Sequence, residues 1–206
     1  MEMIDLVLDG KRFEELTFSP QHISNAKNIR FVRCTVSPGT CVVEGGAVLE
    51  SVVFDALNCG DALRISSDAS LKDVVVRGGM PNALIVQPDA MAASKIRDGI
   101  ALDIVDFLGE VSIVGFGEES VRFNKQLHVA VDGAWRDQVD WSSLGIGPFS
   151  NWRLYLKKLK AFEASKGVFS LPPRSDKHFQ ATIDEMRKLK AFGLNLAVPE
   201  TAGQAT

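Results

Sequence analysis

The amino-acid sequence predicts a mainly β protein: a short parallel β-helix, or β-solenoid, over residues 1–134, then a connection and a C-terminal α-helical hairpin over residues 135–206. Three observations lead there. Segments rich in β-branched residues recur at a nearly fixed separation, the links between them are too short for crossover helices, and the hydrophobic period turns helix-like after Val131.

The recurrence is clearest in three stretches. "TCVVEGGAVLESVVFDA" from Thr40, "DALRISSDASLKDVVVRG" from Asp61 and "NALIVQPDAMAASKIRDG" from Asn82 align with one gap, at separations of 21 or 22 residues. Cys41, Ala62 and Ala83 correspond, as do Val42, Leu63 and Leu84, then Ala47, Ala69 and Ala90, then Val53, Val75 and Ile96. Each copy holds two β-rich segments joined by Gly, Ser, Asp or Pro, which suits neighbouring faces of one coil. Small Ala side chains are expected at tight corners, with stacked aliphatics forming the core.

Weaker copies flank these three. "NIRFVRCTV" from Asn28 places Ile29 20 residues before Leu49, and "ALDIVDFLGEVSIVGF" places Ala101 and Leu102 18 residues after Ala83 and Leu84. The coil is therefore expected to start near Leu16 to Phe31 and to fade through Val121 to Val131. An antiparallel meander would use the same turns, but it gives no reason for a constant period. A left-handed hexapeptide helix is disfavoured by the unequal runs of "GGAVLESVVFDALNCG", and helical repeats by the β-branched runs "SVVF" and "DVVV". The rule for parallel connections makes a right-handed coil the expectation.

Composition bounds the class. The chain has 206 residues, 46% hydrophobic and 24% charged, with formal charge -3, enough for one sizeable core or a core with an appendage. No apolar run approaches a membrane span, so no membrane partner is expected. The opening "MEMIDLVLDG" carries acids among its first five residues and lacks the basic start of a secretion signal, which makes cytoplasmic residence the expectation. Cys34, Cys41 and Cys59 have no CxxC spacing and read as buried thiols.

After Val131 the pattern changes. "DGAWRDQVDWSSLGIGPFS" reads as a connection carrying Trp135 and Trp141. Ser150 can cap a first helix, "NWRLYLKKLKAFEASKG", with Trp152, Leu156, Leu159 and Phe162 on one face. "LPPR" breaks the chain; Ser175 or Asp176 can cap a second helix whose apolar face is Phe179, Ile183, Met186 and Leu189, ending at Gly193. Such a hairpin would pack on or cap the last coil, whose open end would otherwise expose unpaired backbone groups.

Chemistry is harder to find. "GIGPFS" places Pro where a phosphate loop needs donors, no GxSxG elbow, HExxH helix or Ca²⁺ loop occurs, and His22, His128 and His178 are dispersed. No cofactor, metal or catalytic residue is assigned on motif grounds. The repeat register does stack side chains: Glu50, Lys72 and Ala93; Ser51, Asp73 and Ser94; and Asp55, Arg77 and Asp98. The last set is the candidate site if the coil acts as a polysaccharide lyase or hydrolase, because two carboxylates around an Arg can polarise a sugar acid or move a proton. A solvated salt-bridge ladder accounts for it more simply, and turns this short leave little to wall a cleft. "RLYLKKLK" and "MRKLK" offer a basic surface for nucleic acid, although amphipathic helices carry such lysines in any case and the total charge is acidic. The favoured reading is a non-catalytic module that binds another protein, or a second copy of itself, through a rigid solenoid surface.

Overall fold

A computed structural model describes residues 1–89 and 99–200. Its parallel strands stack into a β-solenoid of about five turns. The first coil holds β1 (Glu2–Asp9), β2 (Arg12–Phe13) and β3 (Leu16–Phe18); the second holds β4 (Asn25–Val32), β5 (Thr35–Val36) and β6 (Cys41–Val43). β7 (Val48–Asp55) and β8 (Ala62–Ser66) make the third, and β9 (Ser70–Lys72), β10 (Val74–Arg77) and β11 (Ala83–Gln87) the fourth. β12 (Leu102–Ile104) and β13 (Glu110–Val114) make the fifth, and β14 (Val121–Phe123) adds a final short strand. One sheet runs β1-β4-β7-β10-β12-β14 with β9 beside β7, another runs β3-β6-β8-β11-β13, and β2 pairs with β5. The coil thus begins a full turn before the Leu16 to Phe31 region where the sequence places its start.

Most of the repeat register holds. Leu63 pairs with Leu84, Val53 with Val75 and Glu50 with Lys72, and the Val48 to Ser70 pair sets Ala47 on Ala69. Three assignments shift. Val42 pairs with Arg64 rather than Leu63, so Cys41 falls one residue from its expected place. Ile29 pairs with Val52, and it is Ala26 that meets Leu49. Leu102 pairs with Val74 in the first sheet, whereas Ala83 and Leu84 pair with Glu110 and Val111. The fifth coil is longer than its predecessors because residues 90–98 intervene between β11 and β12. Ala90, Ala93, Ser94, Ile96 and Asp98 lie outside the described residues.

Alternation along the strands buries one face and exposes the other. Phe18, Phe31 and Phe54 from successive coils fill the interior, with Phe31 and Phe54 stacked at 5.4 Å and Phe18 edge-on to both. Cys34, Cys41 and Cys59 are buried free thiols, as their sequence setting implies. Two columns of left-handed residues turn the first sheet. Asp5, Asn28, Ser51 and Asp73 have φ between 53° and 54°, and Gly10, Arg33, Ala56 and Gly78 repeat a positive φ at the strand ends. Asn28 donates its side-chain amide to Asp5 at 2.8 Å, which offsets part of the strain an L residue carries there.

Beyond the last coil come β15 (His128–Asp132), α1 (Trp135–Gln138), α2 (Asn151–Ala161), β16 (Lys166–Ser170) and α3 (Phe179–Phe192). Both expected helices form, but they are not a simple hairpin. The first ends at Ala161 rather than running to Gly167, and β16 enters the second sheet between β13 and β15, antiparallel to both. Ser150 caps α2 by accepting from the Arg153 N–H at 3.3 Å. α3 begins instead at His178, without a side-chain cap, and the Asp176 carboxylate accepts the His178 N–H. Trp152, Leu156, Leu159, Ile183, Met186 and Leu189 are buried together with Trp135, Trp141 and Phe169 in a second apolar cluster; Phe162 and Phe179 pack at its margin.

Candidate functional site

The candidate column is half assembled. Asp55 and Arg77 stand in register on β7 and β10, and the guanidinium donates to the Asp55 carboxylate at 2.5 Å. That contact, reinforced by the charge of Asp106, raises the Arg77 pKa. Asp98 lies outside the described residues, and the strand beside β10 is β12, so among the described residues the second acid near Arg77 is Asp106. The pair resembles its neighbours on the outer face. Glu50 sits between Lys27 and Lys72 at 3.0 and 3.1 Å, Arg33 holds Asp9 at 2.6 Å, and Arg122 lies 3.7 Å from Asp103. The flanking ammonium groups hold the Glu50 carboxyl below its ordinary pKa. Stacking at one residue per coil produces such ladders without any catalytic requirement.

The first coil presents a different surface. β1 has a strand on one side only, so its other edge carries free N–H and C=O groups. Register with β4 turns Ile4 and Val7 outward, and they are 46% and 70% exposed. Leu6 faces the interior in register with buried Ile29, yet it is 39% exposed because no coil lies over it.

A third feature arises only from the tertiary fold. A cavity of about 790 Å³ opens between the fifth coil, the start of β15, the end of β16 and the first turns of α2 and α3. Tyr155 on α2 stacks on Phe169 of β16 at 4.6 Å, nearly parallel, and donates its hydroxyl to the Ser170 carbonyl at 2.6 Å. Burial pushes the Tyr155 pKa up, so the phenol stays protonated. Lys158, one turn on, donates its ammonium to the Ser112 hydroxyl on β13 at 2.6 Å. Burial lowers the Lys158 pKa, partly opposed by the charge of Glu110.

His128 forms the deep wall. Its Nδ1 lies 3.1 Å from the Ser170 hydroxyl, which also accepts the Val111 N–H at 2.7 Å. Nε2 is buried without a partner in hydrogen-bonding geometry, and burial lowers the His128 pKa to about 4, opposed only by the Phe107 backbone. Neutral imidazole is therefore the resident form. Sequence reading treats His128 as one of three dispersed histidines and Lys158 as one of a run of helical lysines. Their meeting depends on β16, which the sequence does not reveal.

The basic helical stretches do not form one stripe. Lys158 turns toward the solenoid, Lys188 donates to the Leu144 carbonyl, and Arg187 pairs with Asp184. Among the described residues no cluster of three or more His, Cys, Asp or Glu side chains could hold a metal ion, and no helix is long and apolar enough to cross a membrane. Comparison with models of protein families, with curated proteins and with solved structures found no match for the chain.

Proposed function

We propose that the chain is a non-catalytic protein-binding module whose first coil accepts an extended, basic strand from a partner. The observation that carries this is β1: an eight-residue strand paired only with β4, bearing exposed Ile4, Leu6 and Val7. A free strand edge supplies main-chain hydrogen bonds for β-augmentation, and apolar side chains on its faces supply contact area. Stacked coils hold that edge rigid, which lowers the ordering cost of binding.

Charge selects the occupant. The first coil carries Glu2, Asp5, Asp9, Glu14 and Glu15 against Lys11 and Arg12. Head-to-head pairing with a second copy would bring these acids together, whereas a strand rich in Lys or Arg complements them. At the other end of the second sheet, β16 of the same chain already pairs with the edge of β13.

The test is site-specific photo-crosslinking in extract of the native cell, with the reactive side chain at Val7 or, for comparison, at Phe149, which is 86% exposed. The reading expects a saturable adduct to a basic segment from Val7 alone, weakened at least tenfold when Glu2 and Glu14 are both changed to Lys. An adduct to a second copy would assign the edge to self-association instead. Equal labelling at both positions, or no change on charge reversal, would remove the proposal.

A further inference from the structure

The cavity beside β16 calls for a ligand of its own, independently of what docks on β1. Its volume of about 790 Å³ falls within the range of small-molecule sites, about 300–1,000 Å³. Its rim is apolar in a way water does not favour: Leu108, Leu127 and Leu154 are 71%, 37% and 46% exposed, and all three line the opening. Three exposed leucines gathered from β-, loop and helical segments around one concavity mark a surface that an apolar body would cover.

The polar lining specifies the other part of the ligand. Lys158 is partly desolvated, its hydrogen bond goes to the neutral Ser112 hydroxyl, and no carboxylate lies within ion-pair distance of it among the described residues. Glu110, the nearest acid that acts on it, is exposed at the rim. Arg174 at the mouth likewise donates to a backbone carbonyl, that of Glu200, rather than to a carboxylate. The first turns of α2 and α3, neither containing an acid, both border the cavity, which adds a positive potential. Asp176 is the remaining acid on the lining, and its carboxylate is engaged by the His178 N–H at 2.6 Å.

We propose that this cavity binds a small monocarboxylic acid with an extended apolar body, the carboxylate on Lys158 and the Ser112 hydroxyl, and the body against Tyr155 and the three leucines. A carboxylate at Lys158 replaces the hydration lost by the ammonium with a charge-assisted hydrogen bond, and the Ser112 hydroxyl, now able to donate, completes the contact. The buried, neutral His128 adds no competing charge at the deep wall.

Isothermal titration of the full chain with decanoate and with decanol separates the two parts of the site. Decanoate is expected to bind at one site per chain and at least tenfold more tightly than decanol, the size of one charge-assisted hydrogen bond in a partly dry setting. Lys158→Met should abolish that preference while leaving decanol binding unchanged, and Lys158→Arg should restore most of it. Leu154→Asp should weaken both compounds. Thermal melting of each variant establishes that the fold is retained, and Leu154→Asp, on an exposed position, serves even if Lys158→Met melts early. Failure of decanoate to bind saturably, or a preference for decanoate that survives Lys158→Met, would overturn the proposal.

Discussion

Ala69 stacks on Ala47 one coil apart, and neither exposes any surface. The sequence places these two alanines at corresponding points of the repeat, and the structure gives the reason: successive coils close so tightly at this corner that only a methyl group fits between them. An Asp at position 69 meets both crowding and loss of hydration. Ala69→Asp is expected to destabilise the fold by roughly 3 kcal/mol or more. Urea denaturation measures this through the midpoint, and an unchanged midpoint would reject the assigned corner.

Burial of His128 makes stability depend on pH in a definite direction. The unfolded chain protonates this imidazole near 6.5 and the folded chain only at about 4, so acid draws the equilibrium toward the unfolded state. Its contribution is complete above pH 6.5 and is lost as the pH falls from 6.5 to 4, by about 3 kcal/mol in all. Urea unfolding of the wild type and His128→Gln at pH 7 and pH 4 isolates the effect. The stability difference between the two proteins should shift in favour of the variant at the lower pH by that amount; a pH-independent difference would show that His128 titrates normally.

Gly167 reports on the inserted strand. A Cβ built there would lie 2.6 Å from the Ile113 carbonyl oxygen on β13, 2.8 Å from the Phe169 ring and 2.9 Å from Leu159 on α2. Strand, sheet edge and helix all converge on one hydrogen atom. Gly167→Ala is expected to cost about 1–3 kcal/mol, and the amides of β13 that face β16 should lose protection from hydrogen exchange. A variant as stable as the wild type would mean that β16 does not pack against β13 at this distance.

Where the repeat is regular, sequence and fold agree residue by residue. Leu63 and Leu84, Val53 and Val75, and Asp55 and Arg77 pair as their spacing implies, because a coil of constant length fixes one register for the buried face. Agreement fails where coil length changes. Ile29 meets Val52 because the second coil carries 23 residues rather than 20 between equivalent positions, a difference the eye assigns to the nearest aliphatic. The segment 90–98 displaces Leu102 onto Val74 in the same way. β16 escaped for another reason. "KGVFS" is short, follows a helix without a strong breaker, and owes its strand conformation to the waiting edges of β13 and β15. With β16 unseen, the cavity that unites Ser112, His128, Lys158 and Ser170 was not legible either; only the apolar faces of the two helices were.

The central claim is that the first coil offers an available strand edge while β13 is already engaged by β16. Amide hydrogen exchange of the full chain, followed by NMR at two concentrations tenfold apart, tests it most directly. Amides on the outer edge of β1 should exchange fast at both concentrations, those of β13 facing β16 should exchange slowly, and addition of a purified basic partner segment should protect β1 alone. Outer β1 amides as slow as those of β13 in the isolated monomer, or left unprotected by a bound partner, would contradict the account.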